Sequence, residues 1–116
     1  MPSTDQAALR PREEIQAVRD RRQTELDVIV AKRLYGEAGV RGELASFDWV
    51  LGAVAEAPLS GQVAVDVSDQ WAITREQVLA TDMLQGRAPR DRRGNGYISG
   101  VEYALMWVLR ETDSRP

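Results

Sequence analysis

The sequence predicts an all-α, or mostly α, protein: a single-domain bundle of about four helices with one short extended segment near 62–68. Three observations carry that prediction. Apolar residues recur at three- and four-residue spacing in several separate stretches, the period of a helix with one buried face. Glycine and proline punctuate the chain between those stretches. Only Val63, Val65 and Val67 alternate with smaller or polar residues as a strand would, and no second stretch offers a pairing partner.

The most apolar run is 97–109. Ser99 and Glu102 have the spacing of a capping box, with Ile98 and Tyr103 placed as a hydrophobic staple. Val101, Leu105, Val108 and Leu109 form one apolar face, and Tyr103 with Trp107 forms another. The expectation is a central helix over 99–111, with Arg110 near its negative end.

Taken in order, residues 1–10 read as an N-terminal tail, 11–112 as one helical domain and 113–116 as a C-terminal tail. Pro11 suits the first position of a helix that runs to about residue 35, with Glu13 and Glu14 near its positive end. Ile15, Val18, Leu26, Ile29 and Leu34 form its stripe, and Arg21 and Glu25 an i,i+4 ion pair. The weakly apolar first half is expected to project and meet a partner through Arg19, Arg21 and Arg22. A second copy forming a coiled coil is one such partner, although the apolar spacing spans fewer than the three or four heptads a coiled coil needs.

Gly36, Gly39 and Gly42 suggest a loop, because each glycine inside a helix costs about 1 kcal/mol relative to alanine. The loop lacks the Lys-Ser/Thr of a phosphate-binding P-loop. A second helix is expected over 44–57, ended by Pro58, with Leu44, Phe47, Val50, Leu51 and Val54 inward, Trp49 at the flank, and Asp48 and Glu56 outward. Asp66 and Asp69 read as turn or cap residues. Thr74 with Gln77 suggests a capped third helix over 74–85, with Val78, Leu79 and Met83 or Leu84 inward, Gly86 just past its end, and Trp71 and Ile73 pinning the incoming loop.

With neither cysteine nor histidine, the chain has no disulfide, no thiolate zinc site and no usual nucleophile–base pair. The expectation is therefore a non-enzymatic protein without a cofactor. No segment has the length and apolarity of a membrane span or a signal peptide, which points to the cytoplasm. Lys32 is the only lysine among 15 basic residues, an arginine bias that fits a high-GC bacterium or its phage. The net charge of −3 argues against a generally basic nucleic-acid binder.

Basic side chains do gather at Arg87, Arg90, Arg92 and Arg93, just before the positive end of the last helix, where an anion or acidic partner would be favoured. The adjoining residues resemble an EF-hand loop over 91–102: Asp91, Arg93, Asn95, Gly96, Tyr97, Ile98, Ser99 and Glu102 fall at its positions 1, 3, 5, 6, 7, 8, 9 and 12. The resemblance implies calcium held by Asp91, Asn95, Ser99, Glu102 and the Tyr97 carbonyl. Arg93 stands where an oxygen ligand belongs, and Pro89 interrupts the entering helix. The first expectation is a small interaction or adaptor protein that contacts a protein partner, or a second copy, through the charged first helix and the Arg87–Arg93 loop. The alternative is a nucleic-acid accessory protein using the same arginines, and the third reading is calcium binding.

Overall fold

Residues 9–63 and 70–116 are described by the computed structural model, and four helices lie among them. They are α1 (Arg12–Lys32), α2 (Glu37–Val50), α3 (Gln70–Leu84) and α4 (Asn95–Val108). The all-α architecture is as expected, but α2, α3 and α4 all begin before their expected starts. For α2 and α4 the early starts go with their contact with each other.

α2 begins at Glu37, so Gly39 and Gly42 are helical and the expected 36–42 loop shrinks to the turn before the helix. Against the propensity penalty stands a backbone-to-backbone contact with α4. A Cβ on Gly42 would fall on the Tyr97 carbonyl oxygen, 3.1 Å from both the Tyr97 carbonyl carbon and the Val101 nitrogen. One on Gly100 would fall on the Gly39 carbonyl oxygen, 3.1 Å from the Gly39 Cα. Ser46 and Ala104, four residues further along each helix, are completely buried. No side chain larger than hydrogen fits at the crossing.

α4 begins at Asn95, with Gly94 before it, rather than at Ser99. Ser99 is an exposed residue of the second turn and caps nothing. The cap would contribute about 1 kcal/mol. Keeping 95–98 helical buries Tyr97 and Ile98, and each large apolar side chain so buried contributes about 1.5–3 kcal/mol. Burial outweighs the cap.

Around this pair the core closes on Phe47, Trp49, Ile73, Ile98, Val101, Leu105, Trp107 and Val108, with Phe47 and Trp107 edge to face at 6.0 Å. The inward face expected for α4 is confirmed at Val101, Leu105, Val108 and Leu109. A smaller cluster of Leu26, Val40 and Leu44 joins α1 to α2. On α3 the inward residues are Ile73, Glu76, Ala80 and Met83. Val78 is exposed, on the side away from Ile73, Ala80 and Met83, and because α3 is already helical at Gln70, Thr74 and Gln77 lie inside it instead of capping it. Ile73 is buried and Trp71 mostly exposed, while the loop they were expected to pin lies outside the described residues.

α2, α3 and α4 end in the same way, with paired bonds from the second and third residues past the end back to the second- and third-last carbonyls. α1 ends similarly one residue earlier, Arg33 and Leu34 donating to Val30 and Ile29. α2 ends at Val50 through such a motif at Gly52, not at Pro58, leaving Val54 exposed outside the helix. Gly86 occupies the expected position after α3. Arg33 (φ 55°) and Arg110 (φ 64°) take the left-handed position after α1 and α4. The cation at the negative end of α4 is instead Arg10: its Nε donates to the Trp107 carbonyl at 2.7 Å and its guanidinium lies 4.8 Å from the centre of the Trp107 ring.

Residues expected in the two tails pack on the bundle. Residues 1–8 lie outside the described residues, whereas Leu9 packs on the core and the Arg10 amide donates to Val108. Pro116 is buried, and Arg21 donates to its backbone oxygen. Of the extended 62–68 segment, 64–69 lie outside the described residues, and Val63 forms an isolated antiparallel bridge with Glu56. No helix among the described residues is long and apolar enough to cross a membrane.

Gly42→Ala and Gly100→Ala are expected to lower unfolding stability by about 1–3 kcal/mol each through overpacking. Gly39→Ala, whose Cβ would meet only the Gly96 oxygen at 3.7 Å, should be neutral or stabilising by up to about 1 kcal/mol. Urea denaturation of the three variants checks the contrast.

Candidate functional site

The arginines of the first helix turn inward. Arg19 Nε bonds Asp48 Oδ1 at 2.8 Å, so Asp48 faces α1 and not solvent. Arg22 Nε bonds Glu43 Oε1 at 2.6 Å, with Glu43 only 5% exposed. Burial pushes the Glu43 carboxyl above its ordinary range, partly countered by the Arg22 hydrogen bond. Arg21 makes the expected pair with Glu25, at 3.6 Å. Arg19 and Arg22 thus join α1 to α2, and the first half of α1, with Ile15 and Val18 buried, does not project.

The arginine loop is also largely occupied by the chain itself. Arg87 pairs with Asp82 at 3.1 Å and Arg90 donates to the Met83 carbonyl at 3.2 Å. Arg93 grips Asp91 through two bonds, at 2.8 and 2.9 Å, and reaches the Pro58 carbonyl at 2.7 Å and the Tyr97 hydroxyl at 2.9 Å. Its guanidinium also lies 4.1 Å from the Tyr97 ring centre. The Arg93 bonds hold the Asp91 carboxyl at about 2, well below its ordinary value. Among the described residues Arg92 makes no hydrogen bond or ion pair, so the four cations reduce to one free head group.

The 91–102 segment is not an EF-hand loop. Asp91 is spent on Arg93, and Asn95 to Glu102 are already helical. Glu102 accepts from the Thr81 hydroxyl at 2.5 Å, tying α4 to α3. Among the described residues no three acids or other ligands converge as a metal set.

The exposed surface with unexplained character lies elsewhere. Val28, Val30, Leu34 and Tyr35 are 42%, 47%, 53% and 101% exposed, at the end of α1 and in the connector to α2. Of these, Val28 and Tyr35 border a cleft of about 460 Å³ that Ile29, Val40, Arg22 and Glu43 also line. A second cleft, of about 300 Å³, is bordered by Trp49, Arg75 and Glu76. Glu76 there accepts from the Leu59 and Ser60 amides at 2.5 and 2.8 Å, holding that turn on α3. Trp49 Nε1 is the one buried side-chain polar atom among the described residues without a partner.

No family model, curated protein or solved structure matches the chain.

Sequence reasoning expected the first half of α1 to project, whereas it packs inward, and passed over the exposure of Tyr35. The available signal was the pair Leu34-Tyr35 directly after Lys32-Arg33, a large apolar pair beside a glycine turn. Periodicity credits Leu34 to the stripe, whereas the left-handed Arg33 swings it out of phase.

Two measurements test the internal use of these charges. Arg22→Met should lower stability by about 3 kcal/mol by stranding Glu43, and adding Glu43→Leu should recover much of the loss. The Asp91–Arg93 pair contributes stability that is fully present above the unfolded carboxyl value of 3.8 and is lost as pH falls toward about 2. The melting-temperature gap between the native chain and Asp91→Asn should therefore narrow steadily from pH 5 to pH 2.

Proposed function

We propose that this is a non-enzymatic interaction protein, acting in the cytoplasm of a high-GC bacterium or its phage, whose contact surface is the C-terminal half of α1, the 34–36 connector and the adjoining cleft. The observation that carries this reading is that exposed Val28 and Tyr35 border one cleft, floored by Ile29 and Val40, with exposed Val30 and Leu34 nearby in the chain. Isolated apolar residues on a surface are ordinary, but a contiguous group rimmed by charge marks a place where another surface settles. Here the charged residues at the cleft are Arg22, Glu25 and Glu43.

This reading moves the contact away from the arginine loop. A nucleic-acid contact is built from unpaired cations that follow a phosphate backbone. Arg87, Arg90 and Arg93 already donate to this chain. The absence of histidine and cysteine from the sequence supports the non-enzymatic part of the reading.

A photo-crosslinking amino acid placed at Tyr35 or at Arg92 in the source organism tests the assignment. Crosslinks from position 35 and none from 92 are the expected result. The reverse pattern, with salt-sensitive binding to duplex DNA, would move the contact back to the arginine loop.

A further inference from the structure

The surface at the end of α1 is complementary to itself when run backwards. At about 100° and 1.5 Å per residue, Arg21, Glu25, Val28 and Lys32 fall within an arc of about 60°. Glu25 lies about 4.5 Å before Val28 along the axis, Lys32 about 6 Å after it and Arg21 about 10 Å before it. Tyr35 borders the same cleft as Glu25 and Val28, on the far side of Lys32 in the chain. The order along this face is cation, anion, aliphatic, cation, aromatic.

A twofold axis perpendicular to α1 at Val28 reverses height while keeping each residue on its own side. It sets the anion of one copy against the Lys32 cation of the other and the Arg21 cation against the Tyr35 ring, twice over, about a central Val28 contact. Among the described residues Lys32 has no ion pair and Tyr35 no hydrogen bond, whereas Glu25 already meets Arg21 and Arg22 within α1 and Arg21 donates to the Pro116 oxygen. Docking therefore brings Lys32 and Tyr35 as further partners to head groups already held in place. The outermost row of α1 cannot serve instead: Glu13, Ala17, Asp20, Thr24, Asp27 and Ala31 have heptad spacing but put three acids in the seam.

We infer that the occupant of this surface is a second copy of the chain, docked antiparallel along α1 about Val28, with Glu25 meeting Lys32 and Arg21 meeting Tyr35 across the interface. The inference rests on the contact surface proposed above and names its partner. The ion pairs set the direction and register of docking, and the apolar cleft residues supply the contact area.

Sedimentation equilibrium of the full chain over about 1 μM to 1 mM covers the affinities of a small interface. A concentration-dependent dimer is expected. Glu25→Lys and Lys32→Glu should each weaken it by about tenfold, as charge pairs that occur twice. Tyr35→Ala should weaken it to a similar degree. The double variant Glu25→Lys/Lys32→Glu, which restores opposite charges only across a self-pairing, should return the dissociation constant to within about threefold of the native one. Circular dichroism melts confirm that each variant folds. A monomer at every concentration, a dimer indifferent to the single changes, or no recovery in the double variant overturns the inference. If the chain is monomeric yet position 35 crosslinks to a different protein, the self-pairing falls while the interaction role stands. If the chain dimerises but is indifferent to the Glu25 and Lys32 changes and position 35 gives no crosslink, not even to itself, both the proposed surface and the inference fall and the dimer lies elsewhere.

Discussion

The crossing of α2 and α4 is the constraint from which the rest of the structure follows. Gly42 lies against the Tyr97 carbonyl and Gly100 against the Gly39 carbonyl, so the two backbones touch with no side chain between them. Contact at that distance forces 37–43 to be helical despite two glycines and brings the start of α4 forward to Asn95. It also leaves the large side chains of both helices to point away from the crossing. Phe47, Trp49, Ile98, Leu105 and Trp107 thereby form a core that α3 closes from one side and α1 from another.

Arginine is the second organising element, used mostly as internal fastening. Arg10 satisfies the last carbonyls of α4, Arg19 and Arg22 tie α1 to α2, and Arg93 holds the α3–α4 loop to the Pro58 carbonyl. The planar guanidinium suits each task, because it makes several bonds at once and can stack on a ring while doing so. Arg93 bonds a carboxylate, a carbonyl and a hydroxyl while lying against Tyr97. A composition in which nearly every cation is arginine is consistent with such joints. For the same reason a run of arginines in this chain is poor evidence of an external ligand.

Helix number, the inward face of α4, the Arg21–Glu25 pair and the stop at Gly86 were legible, because each depends on residues within one or two turns of one another. The capping residue Ser99 misled for a definite reason: a cap contributes about 1 kcal/mol, and burial of Tyr97 and Ile98 exceeds it. The EF-hand resemblance failed likewise, since Arg93 had already claimed Asp91 and Thr81 had claimed Glu102. The candidate surface was the least legible part. The left-handed turn at Arg33 takes Leu34 and Tyr35 out of the helical period that would otherwise assign them to the core.

Periodicity and punctuation in the chain were enough to specify four helices and one apolar face for α4, since local spacing decides which residues share a side. The rows Gly39/Gly42 and Gly96/Gly100 are plain in the sequence too, but either row alone reads as a weak helix or a loop. Only their meeting in space turns a propensity penalty into a fit. The same holds for the charges: whether an arginine is a surface or a fastening depends on which carboxylate or carbonyl the fold brings within about 3 Å of it. That distance is set by tertiary packing, which is why spacing alone could not show that Arg19, Arg22 and Arg93 are held by Asp48, Glu43 and Asp91.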